Sequence, residues 1–140
     1  MKIVVSACLL GKPCRYDGRS KPCEKVIALA ERADTEIIEI CPEQLGGLPT
    51  PRVPSEIVGD KVISKDGRDV TEFFVSGAKK ALDIAKENDC KYAILKSLSP
   101  SCSVCGVYDG SFSGKVVGGM GVTAKLLKEN GIKVVSENEI

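Results

Sequence analysis

The chain has 140 residues, 43% of them hydrophobic and 28% charged, with a net charge of +1. A charge this close to neutral gives no reason to expect a nucleic acid polymer or a membrane surface as partner. The apolar runs are also far shorter than the ~20 residues that a membrane span needs. The length favours a single α/β domain over residues 1–140, and the lack of a signal-peptide pattern leads us to expect a cytoplasmic protein.

Histidine is absent, whereas seven cysteines are present. The absence of histidine excludes a Ser-His-Asp triad, a Cys-His nucleophile pair and a histidine zinc triad. An odd number of cysteines in a reducing compartment argues against a disulfide framework. The cysteines are therefore expected to bind metal, to carry out thiol chemistry or to be buried as small apolar residues.

Predicted strands and helices alternate along the chain. In order they are a strand at 2–6, a helix at 23–33, a strand at 36–40, a rigid Gly- and Pro-rich loop at 43–55, a hairpin at 56–64 turning at Gly59, a helix at 69–88, a strand at 91–96, a helix at 119–130 and a strand at 132–136. Helix 69–88 carries an apolar stripe, with Asp69 or Thr71 as its cap. The stripe consists of Phe73, Phe74, Ala78, Ala81, Leu82 and Ala85. The alternation predicts an open, mostly parallel sheet with helices on both faces, Rossmann-like or flavodoxin-like, with the hairpin as a small insertion.

Three cysteines follow predicted strands. Cys8 and Cys41 come directly after strands, and Cys102 lies in the loop after strand 91–96. Because the carboxyl ends of parallel strands meet at one edge, these thiols are expected to converge. Three thiolates could hold a four-iron cluster and leave one iron open as a Lewis acid. Cys14 or Cys105 could add a fourth ligand.

Two further cysteines, Cys23 and Cys90, are interpreted as buried core residues. The spacing of Cys102 and Cys105 leaves zinc, bound with two more thiols, as an alternative to a cluster.

The same loops carry other residues suited to catalysis. With no histidine, Glu43 is a natural general base. Serines alternate at 97, 99, 101 and 103, and one of them could donate a proton or hydrogen bond to a substrate. The cations Arg15, Arg52 and Lys96 could hold an anion, as could the helix entry at Gly119 and Gly121.

Six motifs in order carry a family resemblance over nearly the whole chain. They are Ser6-Ala-Cys-Leu-Leu-Gly11, Arg15-Tyr-Asp-Gly18, Cys41-Pro-Glu43 with Gly46-Gly-Leu48 and Pro51-Arg52, Ser99-Pro-Ser-Cys102, Tyr108-Asp-Gly-Ser-Phe112 and Gly119-Met-Gly-Val122. Together they resemble the domain-of-unknown-function family 523, which includes the thiouracil desulfidases.

The resemblance implies a [4Fe-4S] cluster held by Cys8, Cys41 and Cys102. It also implies Glu43 as the catalytic glutamate and Ser99, or less favourably Ser101, as the catalytic serine. The implied reaction removes sulfur from thiouracil or thiouridine monophosphate and releases hydrosulfide without net redox change. Cys14 and Cys105 are not expected as cysteines throughout the family.

Two other functions remain open at the level of sequence. The chain could be a non-catalytic metal, iron–sulfur or sulfur-carrier module, or a small nucleotide-binding α/β protein whose cysteines are buried. The substrate and the oligomeric state are not indicated by the residues.

Overall fold

The computed structural model describes residues 1–140. In chain order its elements are β1 (Lys2–Ser6), α1 (Glu24–Ala30), β2 (Glu36–Ile40), α2 (Pro42–Leu45), β3 (Ser55–Val58), β4 (Lys61–Ser64), α3 (Thr71–Glu87), β5 (Tyr92–Leu95), β6 (Gly106–Tyr108), β7 (Val116–Gly118), α4 (Val122–Glu129) and β8 (Lys133–Ser136). One-turn 3₁₀ helices follow β1, at Ala7–Leu10, and β8, at Glu137–Glu139. None of the helices is long and apolar enough to span a bilayer.

The central sheet has four parallel strands in the order β2-β1-β5-β8. Counted among themselves, these strands run 2-1-3-4, which is the order of the first four strands in a flavodoxin-like fold. The chain reverses direction across the sheet between β1 and β5, and such a switch point is where ligands bind in open α/β sheets. The predicted fold class is therefore confirmed.

Helices cover both faces of this sheet because its strands are buried on both sides. In β1, the side chain of Val4 packs into the cluster under α3 and α4, whereas Ile3 and Val5 pack into the cluster under α1. Alternating β-branched residues are typical of a strand buried on both faces. The outcome is a three-layer arrangement that presents the loops after β1, β2 and β5 at one edge.

Two elements were missing from the sequence prediction. The predicted loop at 43–55 begins with the short helix α2, which has Pro42 at its first turn. A second hairpin, β6–β7, pairs Gly106 with Gly118 in a region to which no element was assigned. Both are too short for a periodic pattern to reveal them.

The boundaries of the predicted helices were too generous, and two details of α3 were wrong. The helix begins at Thr71, with Val70 at its cap position, and the Asp69 carboxylate accepts a hydrogen bond from the Thr71 amide at 3.0 Å. Phe73 lies outside the buried stripe and is 42% exposed. The other predicted members of the stripe are buried: Phe74, Ala78, Ala81, Leu82 and Ala85. The predicted core-facing side of the helix is thus confirmed except at Phe73.

Helix α2 approaches α3 closely enough to require glycine on both sides. A Cβ atom on Gly46 would lie 1.9 Å from the carbonyl oxygen of Phe73, and one on Gly77 would lie 1.9 Å from the carbonyl oxygen of Pro42. The two backbones are therefore in direct contact. This contact fixes the position of the α2 turn, which carries Cys41 at its cap and Glu43 in its first turn.

Candidate functional site

A cavity of about 510 Å³ opens at the carboxyl ends of β1, β2 and β5. The loops that follow these strands form its inner wall, and the hairpins β3–β4 and β6–β7 contribute an outer wall. Its volume falls within the range of about 300–1,000 Å³ that is usual for small-molecule sites. Its location is the switch point of the sheet.

Four thiols line this cavity: those of Cys8, Cys14, Cys41 and Cys102. Cys8, Cys14 and Cys102 are buried and Cys41 is half-buried. The structure thus brings together the three cysteines that follow strands and adds Cys14 beside them. The Cys41 thiol donates a hydrogen bond to the Cys14 carbonyl oxygen, with a sulfur–oxygen distance of 3.7 Å.

The remaining cysteines lie away from the cavity lining. Cys105 is exposed and does not line the cavity, so it does not share a site there with Cys102. Cys90 is buried in the cluster under α3 and α4, and Cys23 packs against the cluster under α1. Cys90 is therefore the core residue that was expected, whereas Cys23 is only half-buried at the edge of its cluster.

The thiols of Cys14, Cys41 and Cys102 have raised pKa values, which favour the neutral form. Burial raises the pKa of Cys102 to about 12, although the hydroxyls of Ser6 and Ser99 oppose the shift. A hydrogen bond with Cys14, together with burial, raises the pKa of Cys41. For Cys14 itself, a hydrogen bond with Cys41 lowers the pKa, but one with Cys8 and burial outweigh it and raise the value to about 11. A coordinating thiol is deprotonated by the positive charge of its metal, so a bound metal would have to supply the charge that ionises these groups.

The donor set fits an iron–sulfur cluster better than a single ion. Around one zinc ion the thiolate sulfurs lie at ~2.3 Å from the metal and therefore within about 4 Å of one another. No group of three or more Cys, Asp or Glu side chains is arranged to hold one metal ion. In a four-iron cluster each thiolate binds a different iron, so the sulfurs stand farther apart. Cys8, Cys41 and Cys102 line one cavity from three separate loops without being grouped around a single ion, so they are the residues that would hold a cluster.

Glu43 lies in the first turn of α2 and lines the cavity, with its side chain 18% exposed. The guanidinium of Arg52 lies 3.4 Å from its carboxylate and is itself only 5% exposed. Arg52 also donates to the carbonyl oxygens of Pro49 and Cys14 and to the hydroxyl of Thr50. Arg52 was expected to bind an anion, but its donors are largely used within the protein, where they hold Glu43 and the loop of Cys14 together.

Two of the loop serines differ sharply in their surroundings. Ser99 lines the cavity, and its hydroxyl oxygen accepts hydrogen bonds from the amides of Ser101 and Cys102, at 3.1 Å and 3.0 Å. Because the oxygen accepts these two amides, the hydroxyl proton points elsewhere, and the Cys102 sulfur is one acceptor within its reach. Ser101 is fully buried outside the cavity lining, and its hydroxyl is bonded to that of Thr123 at 2.7 Å. The geometry places Ser99, and not Ser101, where a substrate could reach it.

The remaining expected anion-binding residues behave differently from one another. Lys96 lines the cavity, but its ammonium is bonded to the carbonyl and hydroxyl oxygens of Ser97 and paired with Glu137 at 3.1 Å. Glu137 also accepts the Ser97 amide, so the ammonium stabilises the loop and is not free for an anion. Arg15 lines the cavity with a looser contact of 3.5 Å to Asp17.

Gly119 and Gly121 are not part of the cavity lining. At Gly121 a Cβ atom would lie 2.4 Å from the carbonyl carbon and oxygen of Ser101, so glycine is required there by close packing. The expectation that this helix entry binds a substrate is therefore not supported by its position.

The cavity lining also contains residues to which the sequence assigned no role. They are Lys21, Glu56 and Lys65, together with the aromatic side chains of Tyr16, Tyr108 and Phe112. The three aromatic residues belong to the family motifs, but hairpin and loop residues reach the cavity only through the tertiary fold. The Tyr-Asp-Gly repetition at 16–18 and 108–110 was the one available signal, and each Asp-Gly is also an ordinary turn sequence.

The fold and the cavity agree with the comparisons to known proteins. A family model described as 2-thiouracil desulfurase matches residues 3–139, and the chain belongs to this family. The family expected from the six motifs is thereby confirmed.

Two particular relatives cover nearly the whole chain. The uncharacterized protein YbbK of Bacillus subtilis (strain 168) is 45% identical over 148 residues, which span 99% of this chain and 97% of that protein. A solved structure of the [4Fe-4S]-dependent thiouracil desulfidase TudS (DUF523Vcz) matches with a TM-score of 0.92 and 44% identity. That match covers 99% of this chain and 92% of the solved one.

Proposed function

We propose that this protein is a [4Fe-4S]-dependent desulfidase that removes sulfur from a thiolated pyrimidine base or nucleotide by non-redox hydrolysis. The observation that carries the proposal is the meeting of three loop thiols with Glu43 and Ser99 in one cavity. Membership of the 2-thiouracil desulfurase family and the likeness to TudS support it.

Cys8, Cys41 and Cys102 would hold the cluster in this proposal. When bound, the cluster supplies a Lewis-acidic iron that polarises the carbon–sulfur double bond of the substrate. Cys14 lies beside Cys8 and Cys41 and is left without an assigned role in the three-thiolate arrangement.

Glu43 acts as the general base and Ser99 acts as a hydrogen-bond donor. Glu43 takes a proton from a water molecule, whose oxygen attacks the thiocarbonyl carbon, and the nearby Arg52 guanidinium keeps the carboxylate oriented toward the cavity. Ser99 donates a hydrogen bond to the ring nitrogen on which negative charge develops. The carbon–sulfur bond then breaks as the remaining proton of the added water passes to the departing sulfur, so that hydrosulfide leaves and a carbonyl oxygen from water replaces the sulfur. The first proton stays on Glu43 until it is released to solvent. No electron is gained or lost overall.

The decisive experiment separates cluster binding from turnover. The protein is reconstituted with iron and sulfide without oxygen, and sulfide release is measured from thiouracil and from thiouridine monophosphate. Glu43→Gln is expected to keep the cluster absorbance and lose at least ~100-fold in turnover, because a positioned base contributes ~10²–10⁴-fold. Cys41→Ala is expected to lose both signals, and full activity in that variant would contradict the three-thiolate arrangement. A Glu43→Gln variant with normal turnover would contradict the assignment of the base.

A further inference from the structure

Glu56 is a buried carboxylate in the outer wall of the cavity. It lies on β3, is 8% exposed and lines the cavity. It takes part in none of the ion pairs of the chain. A buried carboxylate without a cation is costly unless hydrogen bonds compensate for the lost water.

One oxygen of Glu56 fastens the neighbouring hairpin. Its Oε1 accepts hydrogen bonds from the backbone amides of Gly110 at 2.9 Å and Phe112 at 3.1 Å. These residues belong to the turn between β6 and β7, and the Phe112 side chain lines the cavity beside Glu56. Phe112 adopts a left-handed backbone conformation with a φ of 57°. The carboxylate thus holds a sharply turned loop in place as part of the cavity wall.

The other oxygen of Glu56 has no donor from the protein. Only Oε1 receives hydrogen bonds, and no fully buried polar side-chain atom of the chain lacks a partner. Hence Oε2 is reachable by solvent, and Glu56 is one of the residues that line the cavity. An ionised carboxylate oxygen only accepts hydrogen bonds, so it selects for donors on a ligand.

We propose that Glu56 is a substrate-binding residue whose Oε2 accepts a hydrogen bond from a donor on the substrate, while Oε1 holds the Gly110–Phe112 loop over the cavity. The inference rests on the proposed function, because it assigns the donor to the thiolated pyrimidine. Both a ring N–H of the base and a sugar hydroxyl of its nucleotide supply the required chemistry. Glu56 then fixes the orientation of the substrate from the wall opposite the thiols.

The variant Glu56→Gln tests the two oxygens separately. Its amide oxygen can still accept the Gly110 and Phe112 amides, whereas its amino group presents a donor to the cavity in place of an acceptor. Glu87→Gln, at the exposed end of α3, is the matched control because it removes the same charge away from the cavity.

Binding is measured by calorimetry on the reconstituted holoenzyme with three sulfur-free probes. The probes are uracil, uridine 5′-monophosphate and its 2′-deoxy counterpart, and none requires turnover. Loss of a hydrogen bond to a charged group weakens binding, so we expect Kd to rise about 10-fold or more in Glu56→Gln. Glu87→Gln should leave Kd unchanged. An equal loss for all three probes identifies the ring N–H, and a loss for the ribonucleotide alone identifies the 2′-hydroxyl.

Two results would overturn the inference: unchanged Kd values in Glu56→Gln, or no binding of any probe to the wild-type protein. The proposed function fails separately. If the wild-type protein releases no sulfide yet binds a probe through Glu56, the desulfidase assignment is wrong and the binding role stands. If it releases sulfide and Glu56→Gln keeps the wild-type Kd and KM, the desulfidase assignment stands and the role of Glu56 is wrong.

Discussion

Substituting Gly77 by alanine tests whether the backbone contact between α2 and α3 positions the site. The added Cβ would lie 1.9 Å from the Pro42 carbonyl oxygen and 2.8 Å from its carbon. Neither atom belongs to a flexible side chain, so α2 must retreat by more than about 1 Å before an ordinary contact is restored. Because Pro42 lies between Cys41 and Glu43, the retreat displaces a proposed ligand and the proposed base together.

The cost can be worked out from two opposing effects. Overpacking a close contact typically destabilises by ~1–3 kcal/mol, and an approach of 1.9 Å to rigid backbone belongs to the upper part of that range, ~2–3 kcal/mol. Replacing glycine by alanine in a helix interior stabilises the folded state by ~1 kcal/mol, because alanine has the higher helix propensity. The net expectation for Gly77→Ala is a loss of about 1–2 kcal/mol, which corresponds to a fall of about 5 °C in the melting temperature of a domain this size.

Thermal unfolding and iron content are the two measurements for Gly77→Ala. Ser76→Ala, one residue earlier in α3, is the control, since it changes helix propensity by a few tenths of a kcal/mol and adds no atom to the helix. We expect Gly77→Ala to unfold earlier and to retain less iron after anaerobic reconstitution. A variant as stable as the wild type, with full iron content, would refute the argument that this contact positions α2.

Two further substitutions test contacts near the site, and a third on the surface serves as a control. Ser101→Ala leaves the buried hydroxyl of Thr123 without its partner, so the free energy of unfolding in urea should fall by ~1–3 kcal/mol while turnover below the unfolding temperature is retained. A large loss of turnover in a variant of unchanged stability would show instead that Ser101 is catalytic. Glu137→Gln leaves the Lys96 ammonium, in a side chain only 18% exposed, without its counter-charge, and should cost about 2 kcal/mol in the same assay. Asp89→Asn breaks an ion pair whose side chains are 74% and 85% exposed and should cost less than ~1 kcal/mol; equal losses in Glu137→Gln and Asp89→Asn would show that burial of the Lys96 pair does not matter.

The central sheet could be predicted from the sequence because its signals are local. Short β-branched strands alternate with amphipathic segments, and that alternation implies parallel pairing whatever the details of packing. The strand bounds at 2–6 and 36–40 agree with β1 and β2 as observed. Parallel pairing alone also led to the expectation that Cys8, Cys41 and Cys102 would meet at one edge.

The peripheral parts could not be predicted because they depend on contacts between distant residues. Helix α2 is a single turn held by its approach to α3, and the β6–β7 hairpin is held by Glu56, which lies far away in sequence. Likewise, Arg52 and Lys96 were expected to face an anion because both are cations in site loops. Only the fold shows that Arg52 is paired with Glu43 and that Lys96 is paired with Glu137.

The tie between Glu137 and the loop after β5 has a consequence for when the site can form. The cavity uses residues from the loop at Cys8 onward, and its Ser97 segment is fastened by Glu137. During synthesis the amino-terminal thiols therefore leave the ribosome long before the loop that would complete their surroundings is anchored. A four-iron cluster would meet its full set of protein contacts only after residue 137 has emerged, so we expect cluster insertion to follow translation and not to accompany it.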